Sequence, residues 1–245
     1  MAMRFIVLLW LLVVDAACAL TTPEEPPWEA HPRTVDYAWS SALEWGEQHE
    51  SFVKQAGEGN IEVLLLGDSI TEGWDAAPDI WNAHFAGYRM ANFGISGDAT
   101  QNLLWRITAG GELNGLSPRA VVLLIGTNNL DMYNDSPEDT ARGVGAIVQA
   151  LRETLPDSRV LLLGIFPRGA TRDTELRQRI EQTNRAIARL ADGEAVRYLD
   201  IGPRLVGANG ELHPEIMPDA VHLSPLGYAL WAAAMQTELE ALIRD

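Results

Sequence analysis

Apolar runs recur along the chain after residue 60, and longer segments of mixed character separate them. The runs cover residues 61–66, 88–95, 120–125, 159–165 and 196–201. Near-continuous valine, leucine and isoleucine, without a polar residue at every second position, is typical of strands that are buried on both faces. Parallel strands have this environment, and the pattern therefore predicts a five-stranded parallel sheet.

The segments between and after these strands have the lengths and boundaries of helices. We predict helices over residues 70–86, 99–109, 137–155, 173–191 and 225–243. Ser136-Pro137 and Ser224-Pro225 each place a capping residue before a proline at the first helical position. The alternation of strand and helix predicts an α/β fold, a three-layer α/β/α sandwich, in which ligands bind beyond the carboxyl ends of the strands.

The first 59 residues do not follow this alternation. Arg4 precedes the apolar run 5–14, which is shorter than the about 20 residues that a membrane-spanning helix needs. Ala17-Cys18-Ala19 then forms a small-x-small cleavage site. We interpret residues 1–19 as a secretory signal peptide and 20–59 as a Pro-rich arm with a helical extension, and residues 60–245 as the main domain. The alternative for the first segment is an apolar helix of the fold.

Cys18 is the only cysteine. Cleavage after Ala19 would leave a mature chain without a disulfide, a thiolate nucleophile or a cysteine-ligated metal. A bacterial lipoprotein would instead be lipidated at Cys18, but such sites resemble Leu-small-small-Cys, and Asp15 occupies the leucine position. We therefore expect a secreted or periplasmic protein, with the lipoprotein as the alternative.

Charge narrows the range of partners. The 245 residues include 34 acidic and 18 basic side chains, which give a formal net charge of −16. A field of this sign repels phosphate backbones and anionic lipid headgroups. We therefore expect no nucleic-acid partner, and no stable membrane insertion once the signal peptide is cleaved.

The first predicted strand ends abruptly at Gly67-Asp68-Ser69. A serine hydroxyl at the end of a buried strand is a candidate nucleophile when a base can remove its proton. The alternative is a serine that only caps the following helix. The Gly-x-Ser-x-Gly elbow of ordinary α/β-hydrolases is absent, because Thr71 stands where its second glycine would be.

Among the five histidines, His222 is the candidate base. Asp219 precedes it by three residues, in the loop before the last predicted helix. At that spacing a turn brings the carboxylate to Nδ1 and leaves Nε2 free to face a serine. The remaining histidines, which lie outside the strand ends or lack a carboxylate aimed at them, are His31, His49, His84 and His213.

Two further strand ends offer hydrogen-bond donors for an oxyanion. Gly97, within residues 92–98, has no Cβ, so its backbone N–H can approach a ligand closely. Asn128, within residues 125–130, presents a side-chain amide. Taken singly, the glycine also fits a tight turn and the asparagine also fits a backbone-capping amide.

In this order along the chain, the four blocks resemble those of the SGNH, or GDSL-type, hydrolase superfamily. The blocks are Gly67-Asp68-Ser69, Gly97, Gly126-Thr127-Asn128-Asn129 and Asp219-Ala220-Val221-His222. The fit is closest to the platelet-activating-factor acetylhydrolase catalytic-subunit group, to which NFGISGDATQNLLWRI, GIFPRG and HLSPLGY are also similar. Most of the superfamily has aspartate at the position of Asn129, whereas this group has asparagine. The similarity covers about residues 60–243.

The resemblance implies the flavodoxin-like SGNH hydrolase fold for residues 60–245 and a catalytic triad of Ser69, His222 and Asp219. It also implies an oxyanion hole made by the backbone N–H groups of Ser69 and Gly97 and by the Asn128 amide. Neither a metal nor an organic cofactor would be needed. The partner would be a small-molecule or glycan ester. A homodimer is compatible with the sequence.

The resemblance further implies a serine esterase for small acyl groups, acetyl above all. Because we interpret the chain as exported, whereas that group includes intracellular lipid enzymes, acetylated carbohydrate is the preferred substrate class. A lipid acetylhydrolase or lysophospholipase is one alternative. A non-catalytic glycan-binding module is another, but it would be marked by loss of a catalytic residue, and none is lost. A phosphate cradle at residues 94–98 would need basic neighbours, and Asp68 and Asp98 stand there instead.

The export hypothesis predicts the mature N-terminus. Protein secreted by a suitable host should begin at Leu20, and thiol titration should find no free cysteine, because Cys18 leaves with the signal peptide. N-terminal sequencing checks this. A mature chain that begins at Cys18 and partitions into detergent would establish the lipoprotein instead.

Overall fold

The centre of the molecule is a sheet of five parallel strands in the order β2-β1-β3-β4-β5. The computed structural model describes residues 25–169 and 171–244, so the predicted signal peptide and Cys18 lie outside the described residues. The strands are β1 Val63–Gly67, β2 Met90–Gly94, β3 Ala120–Leu124, β4 Arg159–Leu163 and β5 Val196–Leu199. The predicted α/β fold with a five-stranded parallel sheet is thereby confirmed.

Helices connect and cover the strands. They are α1 Ala42–Gly57, α2 Ser69–Glu72, α3 Pro78–Phe85, α4 Thr100–Ile107, α5 Thr127–Asp131, α6 Pro137–Thr154, α7 Glu175–Ile187, α8 Gly202–Leu205 and α9 Pro225–Arg244. No helix within the described ranges is long and apolar enough to cross a bilayer.

The prediction of a single helix over residues 70–86 is wrong. The segment divides into α2, a 3-10 turn at Gly73–Ala76 and α3. Pro78 stands at the first position of α3, where its missing N–H costs no hydrogen bond; in the interior of a continuous helix it would break the ladder. A single helical turn is therefore all that follows β1.

The sheet is buried on both faces, as the unbroken apolar runs predict. Every residue of β1 and of β3 is buried. Leu64 and Leu66 belong to one core cluster, which also contains side chains of α4, α6 and α7. Val63 and Leu65 belong to the cluster on the opposite face, with side chains of α3 and α9. The alternate strand positions thus hold the three layers together.

The register brings the ends of three neighbouring strands level. Gly67, the last residue of β1, pairs with Gly94 at the end of β2 and with Leu124 at the end of β3. The connections that follow these strands therefore begin side by side at one edge of the sheet. The sequence blocks around Ser69, Gly97 and Asn128 all lie in these connections.

Candidate active site

Close packing at the end of β1 explains the Gly-Asp-Ser sequence. A Cβ on Gly67 would lie 2.1 Å from Thr71 Oγ1 and 2.4 Å from the carbonyl oxygen of Leu124, so no side chain fits there. Asp68 is the N-cap of α2, and its Oδ1 accepts a hydrogen bond from the Ile70 N–H at 2.9 Å. Because Asp68 does the capping, the hydroxyl of Ser69 is left for another partner.

That partner is His222. Its Nε2 lies 3.0 Å from Ser69 Oγ, and its Nδ1 lies 2.7 Å from Asp219 Oδ2. The other carboxylate oxygen of Asp219 accepts the backbone N–H groups of Val221 at 2.9 Å and His222 at 2.7 Å. Ala220, with a φ of 60°, turns the chain so that these groups converge. The structure therefore brings the three predicted triad residues into one hydrogen-bonded row.

The environment of Asp219 favours its ionised form. Burial acts to raise the pKa of this carboxyl, but the hydrogen bonds from the His222 side chain and from the backbone N–H groups of His222 and Val221 outweigh it and lower the pKa below its usual value. A carboxylate at Nδ1 holds a proton there and leaves the lone pair of Nε2 for the serine. The side chains of His222 and Asp219 are 49% and 54% exposed, so the site is open to solvent.

The two predicted oxyanion residues are linked through Asp98. Gly97 has a φ of 81°, and the N–H of Asp98 turns back to the carbonyl of Ile95 at 3.2 Å. Asn128 is buried, and its Nδ2 donates to the Asp98 carbonyl at 2.9 Å, which leaves the second N–H of the amide for another acceptor. We call residues 95–98 the Gly97 loop. Asn128 is thus fastened to this loop rather than standing alone.

Asn129 has a physical reason to be an amide. Its Nδ2 faces three oxygens, Thr100 Oγ1 at 3.0 Å, Gln101 Oε1 at 3.1 Å and Asp135 Oδ2 at 2.9 Å. Its Oδ1 accepts the Thr100 N–H at 2.9 Å. An aspartate here would set a second carboxylate against Asp135, which is unfavourable in a buried position. The asparagine therefore joins α5 to the start of α4.

A buried polar network beneath the site was missed by the sequence analysis. Arg106, fully buried, donates from Nε to Asp98 Oδ2 at 2.8 Å and from Nη1 to both carboxylate oxygens of Glu112 at 2.8 and 2.7 Å. Trp45 Nε1 donates to Asp98 Oδ1 at 2.7 Å. His49 Nδ1 lies 2.7 Å from Glu112 Oε1. The local signal is an arginine that directly follows the apolar residues 103–105 of α4, and its partners are not recognisable from spacing.

The described residues also contain a cavity of about 370 Å³ at the ends of β4 and β5, with Ile165, Arg177 and Asp200 among its lining residues. Neither Ser69, Asp219 nor His222 lines it. The hydrogen bond between the half-buried Ser69 and the exposed His222 makes this pair, and not the cavity, the candidate reactive centre. In the described ranges no three His, Cys, Asp or Glu side chains are grouped to hold a metal.

Comparison with known proteins identifies the family. Residues 65–230 match the model of the GDSL-like lipase/acylhydrolase family. The chain belongs to this family. It is therefore an acylhydrolase, an esterase of the GDSL type.

This GDSL-like acylhydrolase is similar to a curated acetylhydrolase subunit in sequence and to several solved structures in fold. The chain is 36% identical over 200 residues to the platelet-activating factor acetylhydrolase IB subunit alpha1 of Homo sapiens, which covers 81% of this chain and 84% of the human one. A GDSL-like lipase structure from Bacteroides thetaiotaomicron covers 79% of this chain and 97% of its own, with 22% identity and a TM-score of 0.64. The acetylxylan esterase Axe2 of Geobacillus stearothermophilus covers 74% and 94%, with 18% identity and a TM-score of 0.57. These two structures share the fold.

Asp68 makes the stability of the acylhydrolase depend on pH. Burial raises the pKa of Asp68 to about 7, against about 3.9 for an unfolded chain. Between these values the folded state holds a proton that the unfolded state releases, so the free energy of unfolding falls as pH rises from about 4 to about 7. Asp68→Asn, neutral at every pH, should abolish this fall and be more stable than wild type at pH 8, by at most about 4 kcal/mol.

Urea unfolding at pH 5 and pH 8 measures this difference. Asp157→Asn, which changes an exposed carboxylate, serves as the control and should leave the pH dependence of wild type in place. Parallel stability curves for wild type and Asp68→Asn would show that Asp68 is ionised throughout this range in the folded protein.

Proposed function

We propose that Ser69, His222 and Asp219 are the catalytic triad of an esterase that forms an acyl-enzyme on Ser69. The observation that carries the proposal is the hydrogen-bonded row from Ser69 Oγ to His222 Nε2, at 3.0 Å, and from Nδ1 to the Asp219 carboxylate, at 2.7 Å. A serine hydroxyl within reach of an oriented imidazole is the arrangement that nucleophilic catalysis requires.

The chemistry follows from the positions of the three groups. His222 Nε2 takes the hydroxyl proton of Ser69 as Oγ attacks the ester carbonyl carbon, and Asp219 stabilises the resulting imidazolium. The imidazolium gives this proton to the leaving alcohol oxygen as the ester bond breaks. Water then attacks the acyl-enzyme by the same proton path, which releases the acid and restores Ser69.

The oxyanion needs donors aimed at charge that develops in the transition state. We assign this role to the backbone N–H groups of Ser69 and Gly97 and to the Asn128 amide. The fastening of Asn128 to Asp98 supports the assignment, because it sets the amide and the Gly97 loop in one fixed arrangement. Each such donor typically contributes about 3 to 4 kcal/mol to the lowering of the activation barrier.

For the acyl group we propose acetyl. The human relative is named an acetylhydrolase, and the identity to it extends over most of both chains. We propose that the ester substrate is an acetylated carbohydrate, so that the leaving alcohol is a sugar hydroxyl. We also propose that the enzyme is exported and that its first 19 residues are a signal peptide. The exposed side chains of His222 and Asp219 support a bulky alcohol, because an open site leaves room for groups that extend into solvent.

An exposed aromatic side chain supports the carbohydrate proposal. Trp39 is 62% exposed, and its ring stacks on that of Tyr37 with centroids 5.0 Å apart. The Tyr37 ring in turn packs against Gly97, since a Cβ on that glycine would lie 2.9 Å from a carbon of the ring. A flat apolar face that is joined to Gly97 through Tyr37 suits a sugar ring. The acetylxylan esterase from Geobacillus stearothermophilus has the same fold. The alternative, a lipid acetylhydrolase, is favoured by the name of the human relative.

The triad proposal predicts the effect of Ser69→Ala. The variant should fold, because Asp68 rather than Ser69 caps α2, but kcat should fall by about 10⁴-fold or more. Hydrolysis of p-nitrophenyl acetate measures this, and Ser51→Ala on the exposed face of α1 should keep wild-type activity. If Ser69→Ala retains more than about a tenth of the activity, Ser69 is not the nucleophile.

The carbohydrate proposal predicts a selective effect of Trp39→Ala. Loss of the stacking surface should lower kcat/KM for an acetylated xylo-oligosaccharide by about tenfold, which corresponds to about 1.4 kcal/mol, and should leave p-nitrophenyl acetate nearly unaffected. Leu43→Ala is the matched control, because Leu43 is 72% exposed but not aromatic. Equal losses on both substrates would argue against a sugar platform. Rapid hydrolysis of a short-chain phospholipid acetyl ester, with no release of acetate from the oligosaccharide, would favour the lipid alternative.

A further inference from the structure

The segment before α1 lies against the Gly97 loop through a buried arginine. We call residues 25–41 the arm. The Arg33 side chain is 0% exposed, and its Nη2 donates to the Ser96 carbonyl and to Asp98 Oδ1, the latter at 3.3 Å. Ser96 and Asp98 are the residues on either side of Gly97. The guanidinium therefore spans the glycine that we propose as an oxyanion donor.

The positive charge of Arg33 helps to offset the buried carboxylate of Asp98 in the Gly97 loop. Asp98 and Glu112 are fully buried carboxylates, and Arg106 contacts both of them. Without Arg33, Asp98 would keep Arg106 as its only cationic partner among the described residues, and Arg106 is shared with Glu112, which also contacts His49. A buried charge that lacks compensation is strongly unfavourable and draws in water or moves its neighbours.

The arm also joins the Gly97 loop to the helix that carries Asn128. The Tyr37 ring lies against Gly97 and covers the Arg33 guanidinium, whose carbon is 4.8 Å from the ring centroid. The Tyr37 hydroxyl is 2.7 Å from that of Tyr133, just after α5. Asn128 itself lies in α5 and donates to Asp98. Arm residues therefore contact both the Gly97 loop and Tyr133, the residue that closely follows α5.

Only one of the three guanidinium nitrogens of Arg33, Nη2, makes hydrogen bonds among the described residues. Its Nε and Nη1 are buried and have no hydrogen-bond partner among the described residues, although the rings of Tyr37 and Trp45 lie over the group. Buried donors without partners are costly, so Nε and Nη1 do not explain why an arginine stands at this position. The contacts of Nη2 with the Gly97 loop are what an apolar replacement would lose.

We propose that Arg33 is a positioning residue for the oxyanion site. Its guanidinium holds Ser96 and Asp98 so that the N–H of Gly97 and the amide of Asn128 stay aimed at the developing charge. The inference rests on the proposed function. It makes the arm a part of the active site. The opposite face of the loop is held independently, since the Ser96 N–H donates to Glu72 at 2.9 Å, so loss of Arg33 should displace the loop without unfolding it.

The test is Arg33→Met, which keeps the length and the apolar stem but removes the charge and the donors. We expect kcat to fall about 10- to 100-fold on p-nitrophenyl acetate with KM changed less than threefold, because the donors act on charge that appears only in the transition state. Guanidinium ion at low millimolar concentration should restore part of kcat in Arg33→Ala, where the side chain has left a space, and none in Ser69→Ala.

His49→Gln is the matched control. His49 belongs to the same buried network through Glu112, and within the described part of the chain no hydrogen bond joins it to the Gly97 loop. His49→Gln should therefore lower the melting temperature and leave kcat unchanged. Arg33→Lys provides a folded variant in case Arg33→Met does not fold. It keeps the charge, but its single ammonium cannot reproduce the guanidinium geometry, and an intermediate kcat is expected.

Three results would overturn the inference: a folded Arg33→Met within twofold of wild-type kcat, an Arg33→Lys with wild-type kcat, or a kcat loss in His49→Gln as large as that in Arg33→Met. The last would show that network stability alone controls activity. Failure of the proposed function is distinguishable, because it would appear as activity retained in Ser69→Ala, whatever the arginine variants do.

Discussion

The buried guanidinium of Arg106 is the interaction on which the rest of the site depends. Besides the carboxylates of Asp98 and Glu112, it contacts the end of the sheet through Nη2, which donates to the Phe93 carbonyl at 3.0 Å and lies 3.4 Å from that of Gly67. One side chain from α4 therefore joins the carboxyl ends of β1 and β2 to the loop that follows β2. The planar group has five donors in fixed directions, and a lysine could not reach these partners together.

This arrangement shows how a polar site is built at the edge of an apolar sheet. Transfer of charges from water into the interior costs several kcal/mol per ion, and the cost is offset only when hydrogen bonds are nearly complete. Asp98 meets this requirement with donors from Arg106, Trp45 and Arg33. Asp68 does not, since its Oδ2 has no hydrogen-bond partner among the described residues. Burial raises the pKa of both carboxyls, and at Asp98 the contacting Arg106 and Arg33 oppose the rise. The two aspartates at neighbouring strand ends therefore differ in how far their partners offset burial.

The site consists of a buried, hydrogen-bonded set of residues and a pair of residues that is closer to solvent. The floor, formed by Asp98, Arg106, Asn128 and Asn129, is buried. The proposed reactive pair is closer to solvent, since Ser69 is half-buried and His222 is exposed. A donor is effective in catalysis when it needs no reorganisation as charge develops, and buried hydrogen-bonded groups meet that condition. An exposed imidazole can exchange protons with water and with a leaving alcohol, so each part of the site suits its chemistry.

The sequence by itself determined the fold class, the number of strands and the family, because unbroken apolar runs require burial on both faces and because four short motifs occur in order. It also pointed to Ser69, Asp219 and His222, since Asp-x-x-His and Gly-Asp-Ser are local patterns. Local patterns did not reveal the break of the segment 70–86 into two helices, although Pro78 was a visible signal for it. Only the tertiary structure joined Arg33 to Asp98, 65 residues away, and gave the arm a place beside Gly97. The physical reason is that a buried ion pair is defined by which elements pack together, and spacing along the chain carries no record of that.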